Sequence, residues 1–326
     1  MNTRRLGKTG WQVSEIGFGA WGIGADWGAV DDAESLAAMH AAADAGVTFF
    51  DTADVYGDGR SERLVGQLLR ERPEELVVAT KFGRRVPLDL SAYTYEGFRS
   101  WIERSRENLG VETVDLVQLH CLPWETYYTP SVFDACDRLV EERLVRAYGV
   151  SVEKVEEALK AIEYPGVATV QIIFNAFRMR PAERFFRQAV ERDVGVIARV
   201  PLASGLLTGK FDRGSRFADD DHRAYNRHGE AFDVGETFSG VDFDTGLEAV
   251  DELRPLVPPG ATLAQLALRF ILDFDAVSTV IPGAKTPDQA RANAAAAGLP
   301  PLAEETHAVI ADVYRRRIAP AVHERW

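Results

Sequence analysis

Asp51, Tyr56, Lys81 and His120 each stand at or just past the end of a short apolar run, in FFDTADVYG, LVVATKFG and VDLVQLH. A carboxylate, a phenol, an ammonium and an imidazole suit protonation of a carbonyl oxygen while another reagent attacks its carbon. Tyrosine ordinarily keeps its proton to about pH 10. A neighbouring ammonium favours the phenolate, and Lys81 is the cation at hand, with Asp51 as the counter-ion that keeps it charged and in place. His120 donates a hydrogen bond to the same substrate oxygen. Singly, each has an ordinary use: Asp51 as a turn cap, Tyr56 as a surface aromatic, Lys81 as a solvated charge, His120 as a strand-end histidine. Their coincidence at the ends of successive runs points to chemistry. Asp54 is expected to be a loop hydrogen-bonder rather than a second acid.

Such residues converge only if the runs are strands of one parallel sheet. From residue 45 onward short β-rich runs alternate with longer helical stretches, the pattern of repeated β/α units. Strands are expected near Ile16–Gly19, Thr48–Asp51, Leu76–Thr80, Asp115–Leu119, Val145–Val150, Thr169–Ile173, Gly195–Arg199 and Ser278–Ile281. That set predicts an α/β fold, a (β/α)8 TIM barrel whose strand C-termini share one rim. Helix starts are expected at Asp31, with Gly46 closing that helix, and at Ser131. A doubly wound sheet would also alternate, but GFGAWGIGAD lacks the G-x-G-x-x-G phosphate turn. Residues 1–326 are expected to form a single domain. The polar stretch Phe211–Asp242 after the seventh strand has the length of a covering loop.

Composition narrows the function. With 37 Lys+Arg against 50 Asp+Glu the formal charge is −13, which disfavours nucleic-acid or anionic-membrane partners and leaves phosphate to a local site. Cys121 and Cys136, the two cysteines, make no disulfide scaffold, and the six histidines show no metal-ligand spacing. No metal is expected. The N-terminus lacks a secretory h-region and no window has the length of an apolar membrane span, so a cytoplasmic location is expected.

The chain resembles the aldo-keto reductase superfamily over nearly its whole length. RRLGKTGWQVSEIGFGAWGIG is similar to the family's N-terminal β-hairpin and first strand, FFDTADVYGDGRSERLVGQLL to its Asp and Tyr segment, and ATKFG and DLVQLH to its Lys and His segments. The resemblance implies a barrel that binds NADP(H) in extended form, with Tyr56 as general acid, Lys81 and Asp51 as its tuning pair and His120 orienting the carbonyl. It further implies that Ser151 and Gln171 contact the nicotinamide carboxamide. Val152 stands where the family commonly has Asn, and Asn175 is not expected to compensate. Arg199 stands where many relatives stack an aromatic ring on the nicotinamide. Pro201, Leu202, Ala203, Ser204, Gly205, Leu206 and Lys210 match the pyrophosphate loop. Gly283, Lys285, Gln289 and Asn293 match the adenosine-end motif, where the Lys285 cation favours the 2′-phosphate of NADPH. Ala20 and Trp21 fall at the nicotinamide end, and Trp21, Trp124 and Tyr127 are pocket candidates, the last two with rim packing as the alternative.

The expected function is NADPH-dependent reduction of an aldehyde or ketone, a small-molecule carbonyl, to an alcohol. Two rivals stay open at this point. One is a nucleotide-binding regulatory or redox-sensing barrel with little turnover, for which channel-associated members of the superfamily set a precedent. The other is a barrel isomerase or lyase without nicotinamide.

Overall fold

The computed structural model describes residues 1–24, 27 and 31–326; Ala25 and Asp26 of the glycine-rich segment lie outside them. Two short strands, β1 (Thr3–Arg5) and β2 (Gln12–Ser14), pair antiparallel with Thr3 opposite Ser14. Eight further strands form one parallel sheet in chain order: β3 (Phe18–Gly19), β4 (Phe49–Asp51), β5 (Val77–Phe82), β6 (Val114–His120), β7 (Val145–Val152), β8 (Val167–Ile173), β9 (Gly195–Arg199) and β10 (Val277–Val280). Parallel bridges Ile16 to Val280 and Gly19 to Gly283, with Gly17 N donating to Val280 O at 2.8 Å, join the first strand region to the last. The sheet therefore curls into the (β/α)8 cylinder. Covered on both faces, its strands are apolar almost throughout rather than alternating.

The hairpin closes the bottom of the cylinder. Leu6 and Val13 are buried in a cluster with Phe49, Val77, Ala79, Leu116, Ile197 and Ile281, a layer of inward-pointing barrel residues. Toward the other end the inward side chains turn polar, where register aligns Lys81 with Gln118, His120 with Ser151 and Ser151 with Gln171.

The surrounding helices are α1 (Trp21–Gly24), α2 (Asp32–Asp44), α3 (Arg60–Glu71), α4 (Tyr95–Leu109), α5 (Pro130–Glu141), α6 (Val155–Ala161), α7 (Phe185–Glu191), α8 (His222–Tyr225), α9 (Phe243–Leu253), α10 (Leu263–Leu272), α11 (Pro287–Ala295), α12 (Glu304–Val313) and α13 (Ala319–Val322). Asp31 caps α2 by accepting from Glu34 N, and Gly46 follows its end at φ 90°. Two expectations are corrected. α5 begins one residue before Ser131, with Thr129 as its N-cap and Pro130 in its first turn: proline's fixed φ and missing donor make it a natural opener. The first barrel strand is only Phe18–Gly19, Ile16 making a single bridge.

Residues 211–242 are ordered by their own contacts. Asn226 Oδ1 accepts from Ala231 N at 2.8 Å and Phe232 N at 2.9 Å, and Asp221 pairs with the Arg223 guanidinium. α8 and the tight turns Val234–Glu236 and Phe238–Gly240 lie within the segment, which forms a folded lid over the rim. No helix among the described residues is long and apolar enough to cross a membrane.

Gly149 shows how tightly β7 meets β8. A Cβ there would stand 2.0 Å from Thr169 Oγ1 and 2.5 Å from Thr169 O. Gly149→Ala is expected to destabilise the fold by about 1–3 kcal/mol in urea unfolding, whereas Gly298→Ala, with nothing within 4 Å of the added atom, changes little.

Candidate active site

Lys81 on β5 is 1% exposed, and its ammonium ion-pairs with Asp51 Oδ1 and donates to Thr52 O at 2.9 Å. Its third direction faces the Tyr56 hydroxyl at 3.5 Å. Asp51 Oδ2 is held from the opposite side by Gln171 Nε2 at 2.7 Å and Gln118 Nε2 at 3.1 Å, and Ser151 Oγ donates to Gln171 Oε1 at 3.4 Å. The His120 ring lies edge-on to Tyr56, with centroids 5.8 Å apart. Asp51, Tyr56, Lys81 and His120 thus meet at one mouth, with Ser151 and Gln171 in its floor.

The electrostatics differ from the sequence expectation in one respect. The Tyr56 phenol is held well above its ordinary value, first by burial, then by Asp51 and Glu236, while Arg199 and Arg84 pull it down. The lysine's charge is balanced by the carboxylate it touches, so it does not acidify the phenol as a free cation would. Burial also lowers Lys81, with Asp51 opposing. His120 is pushed well below its usual range by burial, then by Arg84, Lys81 and Arg199, and is a neutral imidazole at pH 7.

Around this centre the other sequence candidates take distinct positions. Trp21 stacks on Tyr56 at 6.1 Å and meets His222 and Phe232 of the lid at 4.8 and 6.0 Å. Ala20 is buried at the end of β3, its N donating to Asp51 O. Arg199 is buried against Glu153 at 2.9 Å and donates to Val152 O at 3.1 Å. Val152 therefore engages through its carbonyl, and Asn175 is fully committed to Val200 O, Ser239 and Phe177 N. After β9 the backbone is left-handed at Val200 (φ 50°), Ala203, Ser204 (φ 53°) and Gly205 (φ 97°). A β-branched residue at positive φ is an outlier, and strain of this kind gathers at ligand sites. Pro201, Leu202 and Leu206 complete that loop, and Lys210 beyond it is exposed. The Ser204 hydroxyl is engaged by the lid, donating to Glu236 O and accepting from Phe238 N, both at 3.0 Å.

At the other end of the groove Lys285 Nζ donates to Trp27 O, its backbone N donates to Gln289 Oε1 at 2.8 Å, and Asn293 Nδ2 donates to Gly283 O at 3.1 Å. Trp124 is 58% exposed, edge-on to Tyr128, and Tyr127 is buried.

Several residues of the site had no place in the sequence reading. Gln118 lies two residues before His120, so strand parity alone aims it inward. Glu153 lies two residues after Ser151, just past the end of β7, on the same alternation. Arg84 and Phe232 lie in loops, and His222 and Glu236 in single helical turns of the lid, all too short for a periodicity to mark them. Cys121, Glu153 and Glu236 bring ligating atoms close enough for a metal ion, but Arg84 and Arg199 take up the carboxylates' charge. The C-terminal Trp326 anchors the lid from outside, its Nε1 donating to Asp233 Oδ1 at 2.8 Å.

With this geometry in view, the sequence model of the Aldo/keto reductase family matches residues 15–315. The chain belongs to the aldo/keto reductase family. It is 30% identical to a probable voltage-gated potassium channel subunit beta of Arabidopsis thaliana, over 93% of each chain. It is 26% identical to the Schizosaccharomyces pombe aldo-keto reductase yakc [NADP(+)], over 87% of this chain and 83% of the other. The solved glycerol dehydrogenase AKR11B4 from Gluconobacter oxydans superimposes with a TM-score of 0.80 at 30% identity, over 97% and 96% of the two chains. Oxidoreduction is the family's class of chemistry.

Asp54 tests the burial argument. It is 0% exposed, no side chain among the described residues hydrogen-bonds its carboxyl group, and burial, then Glu62, raises it to about 7. With the folded pKa above the unfolded value, stability falls as pH rises from about 4 to about 7. Asp54→Asn removes that loss, at most roughly 4 kcal/mol. Its melting temperature is expected to exceed the parent's by more at pH 8 than at pH 5; an equal gap at both would place the proton elsewhere.

Proposed function

We propose that this chain is a single-domain, NADP(H)-dependent carbonyl reductase that converts an aldehyde or ketone to an alcohol in a reducing, cytoplasmic compartment. The observation that carries the reading is the Lys81 ammonium, fixed by Asp51 and 3.5 Å from the Tyr56 hydroxyl, with His120 alongside. NADPH, when bound, supplies the hydride.

The residues present fit that cofactor. The left-handed run through Ala203, Ser204 and Gly205 is the kind of backbone that turns successive N–H groups toward an anion. Lys285 gives a cation at the adenosine end, 2′-phosphate recognition being its use, with Gln289 and Asn293 ordering the turn around it. Ser151 and Gln171 would hold the carboxamide, and Trp21, stacked on Tyr56, would wall the substrate side.

The proton step follows from the surroundings of Tyr56. A phenol held above its ordinary pKa keeps its proton through the neutral range, which suits a donor. The alkoxide forming on the carbonyl oxygen is a stronger base than a phenolate, so transfer runs downhill once negative charge appears there. Lys81 then stabilises the phenolate left behind, and its ammonium stays paired with Asp51. His120, neutral and edge-on to the tyrosine, donates an N–H to the same oxygen and fixes the carbonyl's direction.

A second reading has one specific support, the likeness to a potassium channel beta subunit: a nucleotide-binding barrel that reports redox state with little turnover. Loss of NADPH absorbance with a panel of aldehydes separates the two. Tyr56→Phe is expected to lower kcat by roughly 10²–10⁴-fold and leave NADPH affinity, followed by protein fluorescence, nearly unchanged; substantial activity in this variant would refute the proton-donor role. Lys285→Ala is expected to erase a preference for NADPH over NADH in kcat/KM, and equal use of both cofactors by the parent enzyme would refute the 2′-phosphate assignment.

A further inference from the structure

The charge beside the active site exceeds what proton donation needs. Arg84, in the loop after β5, ion-pairs with Glu236 of the lid at 3.1 Å. Arg199, at the end of β9, pairs with Glu153 at 2.9 Å and reaches Glu236 at 3.9 Å. The two carboxyl groups do not share this charge equally. Burial pushes Glu153 up against the pull of Arg199, whereas for Glu236 Arg84 and Arg199 outweigh burial and hold it below the usual carboxylate range. Two guanidinium groups and two carboxyl groups meet here, Glu236 held in its ionised form by both arginines and Glu153 pressed by burial toward its neutral form. In a chain of formal charge −13, a positive surplus is concentrated where Arg84 and Arg199 both act on Tyr56 and His120.

Two features point to an anion other than Glu236. Arg199 is 7% exposed, yet its Nε has no hydrogen-bond partner among the described residues, and a buried donor left unpaired is costly. The arginines also belong to the barrel rim, whereas the carboxylate between them comes from the lid turn Val234–Glu236. A guanidinium fork matches a carboxylate in geometry as well as charge.

We propose that Arg84 and Arg199 form a substrate subsite for a carboxylate, so that the preferred substrates are carbonyl compounds bearing a carboxylate group. Glu236 occupies the subsite as an internal stand-in and gives way to the substrate. The inference rests on the carbonyl-reduction reading and names its substrate class. Arg84 and Arg199 set specificity; Tyr56 and His120 act on the carbonyl.

The test compares kcat/KM within matched pairs, succinic semialdehyde against butanal and p-carboxybenzaldehyde against p-tolualdehyde, at saturating NADPH. The parent enzyme is expected to favour the carboxylate member of each pair by about tenfold or more, the scale of a charge-assisted hydrogen bond. Arg84→Met lowers that ratio by a similar factor, mainly through KM, and Glu236→Gln raises it. A parent ratio near one, or a ratio unmoved in both variants, overturns the subsite. Benzoate binding, followed by protein fluorescence in the parent and Arg84→Met, decides independently of turnover: binding lost in the variant supports the subsite, and binding absent from the parent or retained in the variant overturns it. Absence of turnover with every aldehyde refutes the reduction reading, while the benzoate measurement still decides the subsite. Circular dichroism of Arg84→Met separates loss of recognition from loss of fold, and Glu236→Gln carries the ratio test should that variant misfold.

Discussion

A lysine ammonium taken wholly out of water persists only if something holds its charge, and at Lys81 that is Asp51. A buried pair of this kind is exacting: removing one partner strands the other, at a typical cost of 3–5 kcal/mol. The carboxylate needs satisfying too, and Gln118 and Gln171 do so from β6 and β8. Strands β4, β5, β6 and β8 are thereby tied to one another through side chains as well as backbone. Tyr56 and Thr52 hang from the same knot. The rim can hold its shape because moving any one of these groups leaves a buried polar atom unpaired.

Burial dominates the Tyr56 phenol and keeps it protonated, with Asp51 and Glu236 pushing the same way. Arg84 and Arg199 oppose that rise at Tyr56, and together with burial and Lys81 they press His120 toward the neutral form. Protonated phenol and neutral imidazole are both donors, and both address the position where negative charge would develop. The lid completes the arrangement by bringing Glu236 to the arginines and His222 and Phe232 to Trp21.

The barrel was legible in the sequence because its cause is periodic and long-range: eight apolar runs with helical stretches between them. Asp51, Lys81 and His120 were legible because they interrupt those runs at their C-terminal ends, where only a polar rim tolerates them. Boundaries were less so, since α5 starts at Pro130, whose fixed φ suits the first helical position, rather than after Ser131. The direction of the Tyr56 shift was not legible, because it is set by depth of burial, with Asp51 and the lid's Glu236 outweighing the arginines of β9 and the Arg84 loop. Glu236 lies 152 residues from the arginine it meets, and nothing local marks either as a partner. Gln118 and Glu153 were within reach of strand parity, each two residues from a residue singled out.

The seam between Ile16 and Val280 has a consequence for how the molecule comes into being. The two elements that seal the cylinder are its first and last strands, so nearly all of the chain must be in place before the final edges find one another. Until then β3 and β10 each expose a row of unpaired backbone groups. Those rims are where an interrupted or heat-loosened molecule would recruit a neighbour's strand, making them the natural starting points for aggregation.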